Sequence, residues 1–251
     1  MSDSTRMIIE VTGGDRESFL QGLVTNDVAK LAGGLVYAAM LTPQGKFQID
    51  FFMVPWDDAI LIDVHAEYGA ALMRRLSFFK LRADVKLAQA EIAVVRGVGD
   101  APTGAFVDPR HTALGWRGYG PGFAFEDQPD VDWDAIRVAH CIPETGIELL
   151  PDESFALEVG FERLEGVDFR KGCYVGQEVT ARMKHKTELR KGLVVVDVDG
   201  AAPVGSEILS GGKPAGTLYT QSRGKGLAYL RFDRAGALMI AGDAKLSYAK
   251  A

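Results

Sequence analysis

Cysteine and histidine are scarce in this 251-residue chain, with two of the first and four of the second. Cys141 and Cys173 share no C-x-x-C spacing, and two thiols do not supply a four-cysteine cluster or zinc site. His65, His111, His140 and His185 form no H-E-x-x-H pair, so no metal site is read from the sequence. No run of about 18 apolar residues is present, which leaves no candidate for a membrane-spanning helix. Positive charge is also short: 28 Lys and Arg stand against 34 Asp and Glu, a formal charge of −6. That balance argues against nucleic acid and anionic membrane as partners held by bulk attraction. Residues 1–6 pass into Met7-Ile8-Ile9 without the apolar core of a secretory signal or the Arg-rich character of a transit peptide, and the expected address is cytoplasmic. No internal repeat or low-complexity segment appears.

What is present is an ordinary globular composition, 47% apolar and 25% charged, on a chain long enough to bury a substantial core. Residues 6–12 read as a first strand. Asp15 is placed to cap a short helix from Arg16 to Leu23 that turns Phe19, Leu20 and Leu23 inward. Thr25-Asn26-Asp27 reads as a polar turn, with a pocket lining as the alternative for Asn26. Two β-rich runs, Leu35–Leu41 and Lys46–Val54, flank Thr42-Pro43-Gln44-Gly45, a type I turn signal, and predict a hairpin. In its second strand, alternation puts Gln48, Asp50 and Phe52 on one face, where Asp50 is either a solvated edge group or an inward functional carboxylate.

Ala59–Val64 reads as a strand, Glu67–Lys80 as an amphipathic helix with Tyr68, Leu72, Leu76 and Phe79 on one stripe, and Val85–Val98 as strand-rich. This order suits an α+β sheet of mixed direction. An acidic loop at 127–134 leads to a helix from Trp133 to Cys141, ended by Ile142-Pro143. Glu158 stands among apolar residues before Gly160, either as a pocket carboxylate or as a helix-surface glutamate. Arg182, Lys184, Lys186, Arg190 and Lys191 form a basic patch, read as a charged strand connection or as a local anion site. From Gly192 onward, short strands separated by glycine-rich turns predict a small antiparallel barrel.

Functional groups are densest at Lys171-Gly172-Cys173-Tyr174-Val175-Gly176-Gln177-Glu178. Gly172 and Gly176 suit positive φ or close approach to the main chain. A thiol beside Arg170 and Lys171 has its thiolate favoured, while an isolated cysteine is otherwise a small buried hydrophobe.

The octet resembles the signature of the YgfZ family, folate-binding proteins that assist iron–sulfur cluster assembly and are related to the glycine cleavage T-protein, an aminomethyltransferase. Similar patterns recur at Phe19–Val28, at Gly45-Lys46 leading to Asp50, at Asp108-Pro109-Arg110 and at Leu114-Gly115-Trp116-Arg117. The resemblance implies an α+β region of two intertwined subdomains with mixed or antiparallel sheets over residues 1–187, and a C-terminal β-barrel over 188–251. It implies tetrahydrofolate or a derivative as cofactor, with Asn26, Asp50, Glu158, Lys171, Tyr174, Gln177, Glu178 and Arg182 toward the ligand and Cys173 as the working thiol. The implied role is that of a monomeric accessory factor for assembling or repairing iron–sulfur proteins, whose partners are client or assembly proteins. The alternative is a one-carbon transferase of the glycine cleavage type. Those enzymes carry a paired aspartate where this chain has Ile49-Asp50, and they lack the Lys-Gly-Cys-Tyr signature.

Overall fold

The Thr42–Gly45 signal folds as its residues require: Pro43 sits in the turn, the Gly45 N–H donates to the Thr42 carbonyl at 2.9 Å, and Gly45 takes φ +77°. In the computed structural model, which describes residues 5–121, 123, 130–186, 188–236 and 238–249, this turn joins strands β2 (Val36–Leu41) and β3 (Phe47–Trp56). The preceding elements are β1 (Arg6–Thr12), α1 (Arg16–Gln21) and a 3-10 turn over Val28–Gly33. After the hairpin come β4 (Ala59–His65), α2 (Ala66–Lys80) and β5 (Lys86–Ala90). The strands form one antiparallel sheet in the order β2-β3-β4-β1-β5. Its core is the apolar face of that sheet, including Ile9, Phe51, Met53 and Ile62, closed by Leu20 of α1 and Leu72 and Leu76 of α2. The stripe read on α2 is therefore the face that packs.

Asp15 precedes α1, but its carboxylate makes no capping bond to the helix; it accepts instead from the Asp84 N–H at 2.8 Å. The helix also stops at Gln21, short of the expected Leu23, with Gly22 as its cap. A second small sheet follows, β6 (Val94–Gly97), β7 (Phe106–Val107) and β8 (Trp116–Tyr119), ordered β6-β8-β7 and antiparallel throughout. Residues 127–129 of the expected acidic loop lie outside the described residues.

Helix α3 (Trp133–His140) is capped by Asp132, which accepts from the Ala135 N–H, and ends at Cys141 in the left-handed region. Helix α4 (Gln177–Lys186) occupies what the sequence suggested was a charged strand connection. Beyond it, β9 (Lys191–Asp199), β10 (Ser206–Ser210), β11 (Lys213–Ser222), β12 (Lys225–Arg231), β13 (Met239–Ala241) and β14 (Ala244–Ser247) close a barrel in the order β10-β11-β12-β9-β14-β13. Its interior is Val196, Ile208, Ala215, Leu218, Ala228, Leu230, Met239 and Leu246. Small residues such as Ala215 and Ala228 stand there beside large ones such as Leu218 and Leu230, as the interior of a narrow barrel requires.

The chain resolves into two compact units, Met1–Val131 with Glu162–Gln177, and Asp132–Phe161 with Glu178–Ala251. The sequence motif thus belongs to the first unit up to Gln177, while α3 and the Glu158 segment fold with the barrel. Arg137 of α3 is the main polar tie in the second unit. It donates to the fully buried Glu148 at 3.0 Å, to Thr220 Oγ1 at 3.0 Å and to Asp134 at 2.9 Å. Glu148 also accepts from the Glu144 N–H and from both the N–H and the hydroxyl of Thr220, so its buried charge is answered on every side. Among the described residues no helix is long and apolar enough to cross a membrane.

Candidate functional site

In the first unit, the motif is anchored by its lysine. Lys171 is buried, and its ammonium donates to three main-chain carbonyls: Gln21 at 2.8 Å, Val24 at 2.6 Å and Asn26 at 2.9 Å. Gln21 ends α1, where helix carbonyls lack intrahelical partners and the dipole favours a cation. Burial draws the Lys171 pKa down to about 8, with Asp27 and Asp168 opposing the shift. Its charge also lies 5.0 Å from the centroid of the buried Tyr174 ring. The three N–H bonds of Lys171 are all committed to the protein, so its charge is spent on the 21–26 carbonyls and not on the neighbouring thiol.

Asn26 is the second anchor. It is buried: its amide donates to the carbonyls of Tyr37 at 2.8 Å and Glu165 at 2.6 Å, and its oxygen accepts from the Asp27 N–H and from Lys30 Nζ. Thr25 repeats the pattern, its hydroxyl donating to the Gly166 carbonyl and accepting from the Ala39 N–H. A Lys30–Asp168 ion pair at 2.8 Å adds to the stitching. The polar turn read in the sequence is therefore an internal seam that fastens residues 165–171 to the edge of β2.

Between buried Lys171 and buried Tyr174 the chain turns outward, and Gly172 and Cys173 are exposed. The two motif glycines differ. Gly176 is buried with φ +86°, and a Cβ there would fall 2.5 Å from the Thr42 carbonyl oxygen. At Gly172 nothing lies within 4 Å of a built Cβ and the backbone is not in the left-handed region, so the structure imposes no glycine there.

Asp50 is half-buried and accepts from the Tyr37 hydroxyl at 2.9 Å, so it is an engaged carboxylate rather than a solvated edge. Beside it lies a buried ionic set whose members come from separate stretches of the chain. Asp63 is fully buried and takes Arg6 at 2.6 Å, Arg117 at 3.3 Å and the Tyr119 hydroxyl at 2.9 Å. Asp108 takes Arg110 at 2.8 Å and Arg117 at 3.2 Å. Burial works against ionisation of Asp108, but the two guanidiniums hold its pKa down at about 2. Burial, with the Asp63 charge next, pushes Tyr119 well up, so it remains a donor. The guanidiniums of Arg117 and Arg110 stand 4.1 and 4.8 Å from the centroid of Phe52, the aromatic on the Asp50 face of β3.

In the second unit, Glu158 is a buried pocket carboxylate and not a helix-surface glutamate. Its Oε2 accepts a short hydrogen bond from the Tyr229 hydroxyl and lies 3.9 Å from Lys191 Nζ. Burial, reinforced by Glu158, pushes the Tyr229 pKa up, so the phenol stays protonated as the donor. Glu158 lines a cavity of about 560 Å³ with Met183, Glu188, Leu189, Arg190, Lys191, Arg231 and Asp233. That volume lies in the range for organic ligands. Its walls carry three carboxylates, Glu158, Glu188 and Asp233, and three cations, Arg190, Lys191 and Arg231, of which Arg231 is paired with Asp233 at 3.4 Å. Glu158 can meet the N–H donors of a heterocycle and the cations an anionic tail.

Gln177 opens α4 half-buried, and its N–H bonds the Tyr174 carbonyl. Glu178 and Arg182 pair with each other at 2.8 Å on the exposed face of α4, an i,i+4 surface contact. Lys184 and His185 are exposed on the same helix. The structure thus joins Asn26 to Lys171 and makes Glu158 a pocket group, while Glu178 and Arg182 neutralise one another in solvent. Tyr37, Tyr229 and Arg231 were missed. Each lies in a strand: Tyr229 meets Glu158 from 71 residues away, Tyr37 meets Asp50 across the β2–β3 hairpin, and Arg231 pairs with nearby Asp233 in the cavity wall.

The comparisons with known proteins agree with this architecture. Over 99% of this chain and 84% of the other, the structure superposes on aminomethyltransferase T of the glycine cleavage system from Bartonella henselae, with a TM-score of 0.70 and 12% identity. The fold is that of a glycine cleavage aminomethyltransferase. Residues 190–251 match the family described as CAF17, C-terminal beta-barrel domain. The chain is 31% identical to the iron-sulfur cluster assembly factor IBA57 homolog, mitochondrial, of Neurospora crassa, over 80% of this chain and 54% of the relative. It is 28% identical to the mouse iron-sulfur cluster assembly factor IBA57, mitochondrial, over 90% of this chain and 75% of the relative. The chain spans about half the length of the Neurospora relative and of two further fungal ones. These names correct the cytoplasmic expectation, because proteins similar along most of this chain are mitochondrial and point to that compartment. The lack of a readable leader carried no address of its own.

Proposed function

We propose that the protein is a folate-binding accessory factor of the YgfZ type for assembling or repairing iron–sulfur proteins, acting as a monomer through the exposed thiol of Cys173. The observation that carries the reading is the motif's construction, in which two buried anchors, Lys171 and Tyr174, hold a loop whose only outward side chain is that thiol. The names of the IBA57 relatives support the cluster-assembly role. The aminomethyltransferase fold supports the use of a folate. On this reading the functional division falls between a T-protein-like region, residues 1–187, and the barrel from 188. Client or assembly proteins meet the thiol.

Tetrahydrofolate is assigned to the Glu158 cavity. There the Glu158 carboxylate, oriented by the Tyr229 hydroxyl, accepts from the pterin's N–H groups. Arg190, Lys191 and Arg231 hold the carboxylates of the tail. Aminomethyl transfer is the second reading; it draws on the aminomethyltransferase fold and on Asp50, which Tyr37 engages and which is the one member left of the transferases' aspartate pair.

The test is complementation of a host lacking its own factor of this type, with iron–sulfur enzyme activities as the readout. Wild type restores them and Cys173→Ala does not. If neither restores them while the purified protein forms methylene-tetrahydrofolate from carrier-bound aminomethyl groups, the transferase reading replaces this one. Tetrahydrofolate that shows no binding to the intact protein removes the folate assignment.

A further inference from the structure

We propose that Lys171 is the positioning residue of the Cys173 loop, its ammonium fixing the main chain that presents the thiol. The inference rests on the proposed role of Cys173 but makes a separate claim about how that residue is held.

A lysine ammonium has three N–H bonds, and here all three meet carbonyl oxygens, those of Gln21, Val24 and Asn26. Those carbonyls come from one short stretch that leaves α1 and runs toward β2, so a single side chain gathers them at one point. Hydrogen bonds to a charged donor are about twice as strong as neutral ones. Tyr174, on the far side of the exposed pair, packs its ring 5.0 Å from the same ammonium. One cation therefore fixes the chain on both sides of Gly172 and Cys173. Cys173 is exposed and Gly172 has open space where a side chain would be, so no side chain at Gly172 defines the path. The order of the loop is supplied from below.

Arginine does not replace this lysine. Three carbonyls converge on one compact ammonium, whereas a guanidinium presents a planar fork and is bulkier. Lys171 touches no ligand on this assignment. It acts through the loop.

The experiment reads the position of residue 173 directly. A nitroxide label on Cys173, in full-length protein with Cys141→Ala to leave one thiol, gives an electron paramagnetic resonance line shape that reports backbone order at that site. In the wild-type background the expected spectrum is that of an ordered loop. With Lys171→Met the spectrum shifts to fast motion, the rotational rate rising about tenfold, as expected when bonds to one ionised donor are lost. A control label on the exposed α2 residue Phe78, introduced as Phe78→Cys with both native cysteines removed, stays unchanged. Lys171→Arg gives a spectrum between the two, and it serves alone if the methionine variant does not fold.

Identical Cys173 spectra in wild type and variant overturn the proposal, and so does a loss of order that appears equally at the α2 label. The complementation assay is scored separately. If Cys173→Ala still matures client enzymes, the role proposed for the thiol fails while the spectra continue to judge Lys171.

Discussion

A Cβ atom on Gly176 would lie 2.5 Å from the main-chain oxygen of Thr42, in the turn of the β2–β3 hairpin. The signature therefore packs its second glycine directly against the backbone of that turn. The first glycine of the signature has no such neighbour.

Alanine at the two positions separates these roles. Gly176→Ala meets both a backbone clash and φ +86°, and the expected destabilisation is about 2–4 kcal/mol. Gly172→Ala has open space and ordinary backbone, and the expected change is within about 0.5 kcal/mol. Urea unfolding of the two variants checks this. Equal costs would mean that the loop around Gly172 is packed by something the structure does not place there.

The buried pair of Arg137 and Glu148 gives a prediction about coupling. Removing Arg137 as Arg137→Met leaves the Glu148 charge buried with only neutral donors, at a cost of about 3–5 kcal/mol. Glu148→Gln retains the shape but loses charge-assisted bonds to Thr220 and to the Glu144 N–H. The double variant no longer strands a charge, so it is expected to cost less than the two single changes added together, by about 1–3 kcal/mol. A double-mutant cycle by chemical denaturation measures that difference. Strict additivity would show that the pair does not act as a unit.

Much of the fold was legible because it is local. The Thr42–Gly45 turn, the apolar stripe of α2 and the glycine-punctuated barrel strands each carry their signal within a few residues, and each is found. Helix α4 was not legible. Its sequence, Gln177–Lys186, is dense in charge and has Val179 and Met183 as its only large apolar residues, so no stripe marks it. The three-residue strand β13 was too short to read, and barrel closure alone defines it. At the candidate sites, residue types were legible and partners were not. Glu158 stood out as a carboxylate in apolar company, and Asn26 as part of a polar turn with a pocket lining as the alternative. That one meets Tyr229 and the other Glu165 follows from contacts 71 and 139 residues apart. Asp63 gave no signal, because a carboxylate in a strand reads as an outward residue until Arg6 and Arg117 are brought to it.

Asp108 sets the acid limb of stability. Its folded pKa is held at about 2 against an ordinary 3.8, so ionised Asp108 stabilises the folded state at neutral pH. A group with a depressed folded pKa contributes fully above its unfolded value and loses that contribution as pH falls toward the folded one. The contribution, about 2 kcal/mol, should therefore be intact above pH about 5 and fade between about 4 and 2. Stability against urea, followed from pH 6 to pH 2, should fall less steeply in Asp108→Asn, which carries no such linkage. Parallel curves for the two proteins would remove Asp108 as the source.

The Glu158 cavity predicts a division of labour between the two ends of a folate. Glu158→Gln keeps the shape and loses the charge, so tetrahydrofolate affinity should fall about tenfold or more, as for loss of a hydrogen bond to a charged acceptor. Tyr229→Phe removes only the hydroxyl that orients the carboxylate, and a few-fold loss is expected. Arg190→Ala and Arg231→Ala act at the tail. Their effect should appear for tetrahydrofolate and vanish for 6-methyltetrahydropterin, which carries no carboxylate, and it should shrink as salt rises. Calorimetric titration of both ligands at two salt concentrations decides the matter. If the arginine variants lose affinity equally for the two ligands, those cations do not hold the tail, and the orientation assigned to the folate is reversed or wrong.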